Sequence, residues 1–439
     1  MLFFNLPGIR NRILNFSKFN YGFFGFVVSL TIQFLLIGKY LDNSVISAYA
    51  PSALDARHYS SLATNWRNEG FTEAFSEAKR TPGYPAIIYL STVLFPAYPY
   101  LAVKVFQLIS ISVSIGILTF ILSQHFKSRY LFLYSFFMGA LPIWYFTPQL
   151  LAESLTFFIF TIVILIITNN SNSTNFLYTT VTLGILLALM VYLKPNNIIL
   201  LPLFLLVLVL NNFNSKLLQL VLFGIALFIC LLPWLIHVER SQGSFFTLAT
   251  TQGLNLYIGT GIESDESTNR RLAESADRWQ VTQKYHQDNV LNYHKEDPIK
   301  INKLLTSKQI DDKYSDVAIK IWKERPWSQL GFSFDKIFIA FGLKSNSLQE
   351  YSLGIFNLLA VLGAIYLIIK STLRLIGIYT LTVAGLLGAQ AAAFQCDRRF
   401  IISTFLPIAA ITIYLSCWKI IENLLGAGRF SDTSEIKKY

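Results

Sequence analysis

The chain has 439 residues, 53% hydrophobic and only 14% charged, where a soluble domain carries roughly 25% charged residues, so the composition excludes an ordinary water-soluble domain and makes lipid the main solvent. The formal net charge is +11, yet the one long polar stretch, 237–332, holds 13 basic and 13 acidic residues, and the other 23 basic and 12 acidic residues lie in or beside apolar segments. A neutral polar region offers no basic groove, which excludes nucleic acid as a partner, and excess base beside apolar segments is an orientation signal.

A helix needs about 20 mostly apolar residues to cross a hydrocarbon core about 30 Å thick. In chain order, such stretches fall near 22–41, 101–123, 131–147, 153–168, 176–193, 197–211, 216–236, 352–370, 374–394 and 399–420. About ten spans are therefore expected in an all-α polytopic membrane protein. The first is read as a retained anchor: Ala48-Tyr49-Ala50 resembles a cleavage triplet, but Pro51 follows it and the apolar stretch is too long for a signal peptide.

Between the first two spans, Asp55–Gly70 and the proline-bounded apolar segment 82–96 are too short or too polar to cross. Both are read as interfacial helices, at about 55–70 and 82–96. The polar region 237–332 is long enough for a small, mainly helical domain, with a helix over Asp311–Glu324. The organisation is thus an N-terminal membrane module over 1–236, an outer polar domain over 237–332, and C-terminal membrane helices with a tail over 333–439.

With the N-terminus in the cytoplasm, twelve Lys and Arg fall in inner segments (Arg10, Arg12, Lys18, Lys127, Arg129, Lys216, Lys370, Arg374 and four near the C-terminus). Only Lys194, Arg398 and Arg399 fall in short outer loops. The asymmetry predicts a multi-pass protein of the cell's inner membrane with both termini cytoplasmic.

Asp55 starts the first interfacial helix in Leu54-Asp55-Ala56-Arg57-His58-Tyr59. Two readings stand: a helix N-cap, or a general base facing a pocket at the membrane surface. Glu153 is the one acid inside a predicted span. It is either a helix-start acid snorkelling to water or a functional carboxylate, since an unpartnered charge there is costly. Arg80, Lys194, Arg398 and Arg399 lie on the side that the charge bias disfavours. They are either snorkelling residues bound to ordinary lipid phosphate or the lining of a pocket for an anionic head group. Cys230, Cys396 and Cys417 show no paired spacing, and His58, His125, His237, His286 and His294 show no metal-ligand spacing; His237 is expected at a helix end. No Walker loop, dinucleotide fingerprint or H-E-x-x-H is present, and the spans lack the buried acids of an ion-coupled carrier.

The order of short motifs is distinctive. A span is followed by Asp55-x-x-x-Tyr59, Arg80-Thr81-Pro82-Gly83-Tyr84-Pro85, Leu151-Ala152-Glu153-Ser154 and Lys194-Pro195. Then come Pro233-Trp234, Gly243-Ser244-Phe245, Gly253-Leu254-Asn255-Leu256, and Arg398-Arg399-Phe400 with Pro407. This pattern resembles the GT-C superfamily of glycosyltransferases, in particular the protein O-mannosyltransferase and aminoarabinose transferase branch, over nearly the whole chain.

The resemblance implies a GT-C-like helix bundle that transfers a sugar, with inversion, from a polyprenyl-monophosphate donor. The acceptor is a hydroxyl on a lipid, glycan or protein outside the cytoplasm, and membrane lipids are the surrounding partners. It implies Asp55 as the base, Glu153 as the second acid, Arg80, Lys194, Arg398 and Arg399 on the donor phosphate, and Tyr59 and Tyr84 lining the substrate pocket. No cofactor is required on this reading. Asp-Ala stands at 55–56 where many relatives have Asp-Glu, and Glu153 stands where part of the family has aspartate, so a divalent cation and the acceptor class stay open. Rival readings are a lipid or glycan transporter, a polysaccharide polymerase or ligase using a lipid diphosphate, and a noncatalytic scaffold.

Overall fold

The computed structural model describes residues 7–45, 54–124, 134, 138, 149–169, 176–210, 216–260, 305–343, 348–370, 373–394 and 398–424. Every regular element among them is helical. Helix α1 (Pro7–Ile37) leads through a 3-10 turn, Gly38–Tyr40, to α2 (Leu54–Glu69), α3 (Phe71–Ala74), α4 (Gly83–Leu94) and α5 (Pro99–Ser123). Next come α6 (Glu153–Asn169), α7 (Phe176–Leu193), a 3-10 turn at Pro195–Leu200, α8 (Leu201–Leu210) and α9 (Lys216–Gln242). The chain continues with α10 (Gln252–Gly259), α11 (Ser307–Glu324), α12 (Pro326–Ala340), α13 (Leu348–Lys370), α14 (Arg374–Ala393) and α15 (Arg398–Leu424).

Among the described residues, six helical stretches are long and apolar enough to cross a membrane: Asn20–Tyr40, Pro99–Ser123, Lys216–Gln242, Ser352–Lys370, Arg374–Ala393 and Ser403–Ile421. The expected spans at 153–168, 176–193 and 197–211 are helices, but shorter ones. α6 is enclosed by protein, with Phe157, Phe160, Val163 and Ile164 all buried in the main apolar core. A helix wrapped by protein is not obliged to match the lipid thickness. The expected span at 131–147 lies outside the described residues apart from Tyr134 and Met138, as do 261–304 and the tail beyond 424.

Two further expectations shift at their edges. α9 runs without a break past 236 to Gln242, and α12 crosses the expected boundary at 332. Pro233 sits inside α9 and does not end it. Thr306 and Gln309 form a reciprocal capping box that starts α11 four residues before the expected Asp311.

Packing uses small residues where helices touch. A Cβ on Gly116 would lie 2.8 Å from the Gly22 carbonyl oxygen, so α1 and α5 meet backbone to backbone. Beside that contact, Gln33 Nε2 donates to Ser29 Oγ (2.8 Å) and Ser112 Oγ (3.1 Å). At one end of the bundle, α2 packs on α4, and α4 packs on α5 and α7. Their shared core contains Ala56, Tyr59, Ala63, Tyr84, Ile88, Val103, Leu150, Ala152, Leu155 and Leu193. Lys104, fully buried on α5, ties the chain after α1 to this end through Asp42 Oδ1 (2.5 Å) and its carbonyl oxygen (3.0 Å).

Gly253→Ala places a methyl 2.0 Å from the Asp311 carbonyl oxygen, and overpacking of this kind costs on the order of 1–3 kcal/mol. Gly224 on α9 has open space around it, so Gly224→Ala gains about 0.5–1 kcal/mol of helix stability. Thermal denaturation of the purified protein is expected to move in opposite directions for the two variants.

Candidate functional site at the α2–α4–α6 end

Six of the residues singled out by sequence, Asp55, Tyr59, Arg80, Tyr84, Glu153 and Lys194, lie at this end. Asp55 lies in the first turn of α2, where its Oδ1 accepts from an Arg80 terminal nitrogen at 2.5 Å. The carboxylate thus serves a cation 25 positions along the chain. Both side chains keep some exposure, 16% for Asp55 and 26% for Arg80. The guanidinium carbon stands 5.8 Å from the centre of the Tyr59 ring, a cation–π distance. Tyr59 packs edge-on against Tyr84 at 4.9 Å between centroids.

Tyr84 continues the chain of contacts inward. It is completely buried, and its hydroxyl donates to Gln107 Oε1 on α5. Gln107 Nε2 in turn donates to the Gln149 carbonyl oxygen at 2.8 Å, just before α6 begins. Burial, with Tyr59 and the Glu153 charge as smaller causes, pushes the Tyr84 hydroxyl well above the usual tyrosine value. The phenol therefore stays neutral and donates.

Glu153 is the first residue of α6, and its Oε1 accepts from Lys194 Nζ at 2.7 Å. Side-chain exposure is 2% for Glu153 and 6% for Lys194. That burial rules out snorkelling for both residues. Lys194 itself sits in extended backbone between α7 and the 3-10 turn. Its surroundings are fixed by Asn197, whose Nδ2 donates to the Met190 carbonyl oxygen (2.8 Å) and reaches Thr156 Oγ1 at 3.4 Å. A buried pair of this kind lives in a low dielectric, where each charge depends on its partner.

Arg80 is aimed by its backbone. The five carbonyl oxygens before it are all engaged: Phe75 by His237 Nε2 (3.0 Å), Ser76 by Gln242 Nε2 (2.5 Å), Glu77 by Thr250 Oγ1 (2.7 Å), Ala78 by the Thr250 N–H (3.0 Å) and Lys79 by Thr251 Oγ1 (3.4 Å). Ala78 holds a left-handed φ of 50° in the middle of this run, a conformation costly for a residue with a Cβ unless its surroundings enforce it. Trp234 stacks on His237 and donates from Nε1 to the Leu248 carbonyl oxygen at 2.9 Å, holding the clamping loop in turn. His237 is thus five residues inside α9 and not at its end. On the other side of Arg80, a Cβ on Gly83 would lie 2.5 Å from the Tyr192 carbonyl oxygen, so only glycine lets α4 seat this close to α7.

The structure brings Asp55, Arg80, Tyr59, Tyr84, Glu153 and Lys194 together. Arg398 and Arg399 open α15, but their side chains lie outside the described residues. Sequence reasoning assigned no role to Gln107, Gln149, Asn197, Thr250 or Thr251, all of which hold the site by polar contacts across the chain. Two hydroxyls beside the ion pairs, Thr81 Oγ1 and Ser154 Oγ, are buried without a hydrogen-bond partner among the described residues. His58, one turn after Asp55 on α2, was read only as lacking metal-ligand spacing. Among the described residues no group of three or more His, Cys, Asp or Glu is placed to hold a metal ion.

The chain matches no family model, no curated protein and no solved structure. Chemically, the arrangement offers an oriented, partly open carboxylate with a guanidinium against it, backed by a dry wall of two tyrosines and a second, sealed ion pair.

Lys194→Met strands the Glu153 carboxylate, and breaking a buried pair from one side costs about 3–5 kcal/mol. Glu153→Gln combined with Lys194→Met is expected to recover most of that loss, read as melting temperature. His58 feels burial first, then Arg80, with Asp55 and Glu77 opposing and Lys79 adding, and its pKa is lowered from 6.5. The unfolded chain then takes up the proton before the folded one, so stability falls as pH drops through the mid-6 range. Melting curves between about pH 7.5 and pH 5.5 are expected to lose part of that slope in His58→Gln.

Proposed function

We propose that this chain is an inverting membrane glycosyltransferase of GT-C type, using a polyprenyl-monophosphate sugar and an acceptor hydroxyl. On this reading it sits in the inner membrane with about ten spans and both termini cytoplasmic, so the α2–α4–α6 end faces outward. A donor whose tail lies in the bilayer accounts for an enzyme built mostly of apolar helices.

The observation that carries the reading is the Asp55–Arg80 pair, 2.5 Å apart, half-open, and set on the motif Arg80-Thr81-Pro82-Gly83-Tyr84-Pro85. In the reaction, Asp55 takes the proton from the acceptor hydroxyl as that oxygen attacks the anomeric carbon. The bond from that carbon to the phosphate oxygen breaks on the opposite face, and its electron pair leaves with the phosphate. Arg80 orients the Asp55 carboxylate and places a planar set of donors where the phosphate charge grows, the form of help that fixed cations give in a poorly hydrated cleft. The chemistry and the charge pattern support Arg398 and Arg399 as further phosphate ligands.

Glu153 and Lys194 take a different role from the one the resemblance implies. Sealed against each other, they support the wall of the site, and Lys194 acts on the donor through that pair and not as an open phosphate ligand. Tyr59 and Tyr84 form the apolar floor under Arg80. A divalent cation is not needed for any of these steps.

The test uses purified protein in lipid nanodiscs with a panel of radiolabelled polyprenyl-phosphate sugars and membrane lipid, glycan and protein acceptors. Transfer is expected for the native chain and a loss of about 10²–10⁴-fold for Asp55→Asn, with folding intact by gel filtration. Near-native turnover by that variant removes Asp55 as the base. Movement of the donor across the bilayer without any product supports the transporter reading instead.

A further inference from the structure

α12 is built inside out. A helix on the surface of a water-soluble domain turns its apolar stripe inward and its polar residues to solvent. On α12 the exposed stripe is Trp327, Leu330, Phe334 and Phe338, at 82%, 44%, 55% and 46% exposure. Their spacing of three, four and four residues puts them on one face. The opposite, buried face carries Gln329, Ser333 and Lys336, with Ile339 and Ala340 also buried in the last turn. Asp335 lies about a quarter-turn off the centre of the stripe.

The polar face has a clear job. Lys336 Nζ donates to the carbonyl oxygens of Gly259 (2.5 Å) and Phe394 (3.2 Å), and Ser333 Oγ donates to that of Ala392 (2.9 Å). These carbonyls end α10 and α14, where unsatisfied helix carbonyls attract cations. α12 is thereby pinned against the site-bearing end of the bundle.

Its C-terminal end goes deeper. The Phe341 ring sits 5.7 Å from that of Phe405, and the Phe341 carbonyl oxygen accepts from Asn357 Nδ2 at 2.8 Å. A Cβ on Gly354 would fall 2.3 Å from the Gly342 carbonyl oxygen. Residues 354 and 357 belong to the stretch Ser352–Lys370, and 405 to Ser403–Ile421, both long and apolar enough to span. The other end of α12 follows the charged helix α11, with Lys323, Glu324 and Arg325 just before Pro326. On α13 the apolar residues Ile355, Leu358, Leu359 and Leu362 are likewise exposed.

We infer that α12 enters the bilayer from the site side without crossing it, and that its stripe contacts the acyl chains of membrane lipids. Trp327 marks the head-group level, as tryptophan commonly does, and Phe338 reaches the hydrocarbon. The polar region therefore ends, and contact with lipid begins, at Pro326. α12 also anchors α10 to the membrane surface through Lys336.

The experiment places a single spin-labelled cysteine at 327, 330, 334 or 338, with Cys230, Cys396 and Cys417 replaced by serine, in phosphatidylcholine nanodiscs. All four positions face outward, so the labels leave packing intact. Collision with oxygen relative to a water-soluble nickel chelate is expected to rise several-fold from 327 to 338. All four ratios are expected above that of a label at Lys323. Nickel access at 334 and 338 equal to that at Lys323 overturns the inference, as does equal depth at all four positions. So does exclusion of both reagents, which would mean a second protein copy covers the stripe. As a label-free check, lipids brominated near the head group are expected to quench more emission in the native chain than in Trp327→Phe. Equal quenching counts against the placement.

Discussion

A charge enclosed by apolar helices has to be answered by another charge, and that requirement organises the site-bearing end of this protein. Glu153 and Lys194 are both almost fully buried, with 2.7 Å between them, and neither is tolerable there alone. Their pairing joins the start of α6 to the end of α7, two helices that share the main core. Asp55 and Arg80 repeat the device one layer nearer to solvent. The gradient from sealed pair to half-open pair gives the site a closed back wall and an accessible front.

The front pair depends on backbone held far from it in sequence. Five successive carbonyl oxygens, from Phe75 to Lys79, are engaged by residues 237–251. The left-handed turn at Ala78 survives because this run of bonds leaves the segment no alternative. The motifs around Trp234 and Gly243 therefore contribute by fixing where Arg80 points. The direction of one guanidinium is set by a region some 160 residues downstream.

Elsewhere, the apolar bundle handles its polar groups locally. Ser110, Ser112, Ser114, Thr119, Thr161 and Thr380 each donate to the carbonyl oxygen four residues earlier. Hydroxyls satisfied inside their own helix cost little in lipid. Polar contacts between helices are fewer, such as Thr380 to Thr412 at 2.7 Å between α14 and α15. α12 inverts this economy, turning its polar face to the protein and its rings outward.

Much of the architecture was legible in the residues alone. Runs of apolar residues located the six described helices long and apolar enough to span, because the cost of placing backbone or charge in lipid is so large that hydropathy reports it directly. They did not show which of the shorter runs at 153–168, 176–193 and 197–211 reach that length. Prolines and composition likewise bounded α2 and α4 to within a residue or two. The two acids and the cations Arg80 and Lys194 stood out because a charge near an apolar segment is expensive. Which cation meets which acid was not legible, since pairing depends on how helices pack and not on spacing along the chain. The same holds for Gln107, Asn197, Thr250 and Thr251, neutral polar residues of ordinary appearance whose roles arise only from long-range contacts. The sequence alone determined which segments seek lipid and where charge is costly. Tertiary structure decided how those charges neutralise one another, because electrostatic pairing acts through distances that only folding sets.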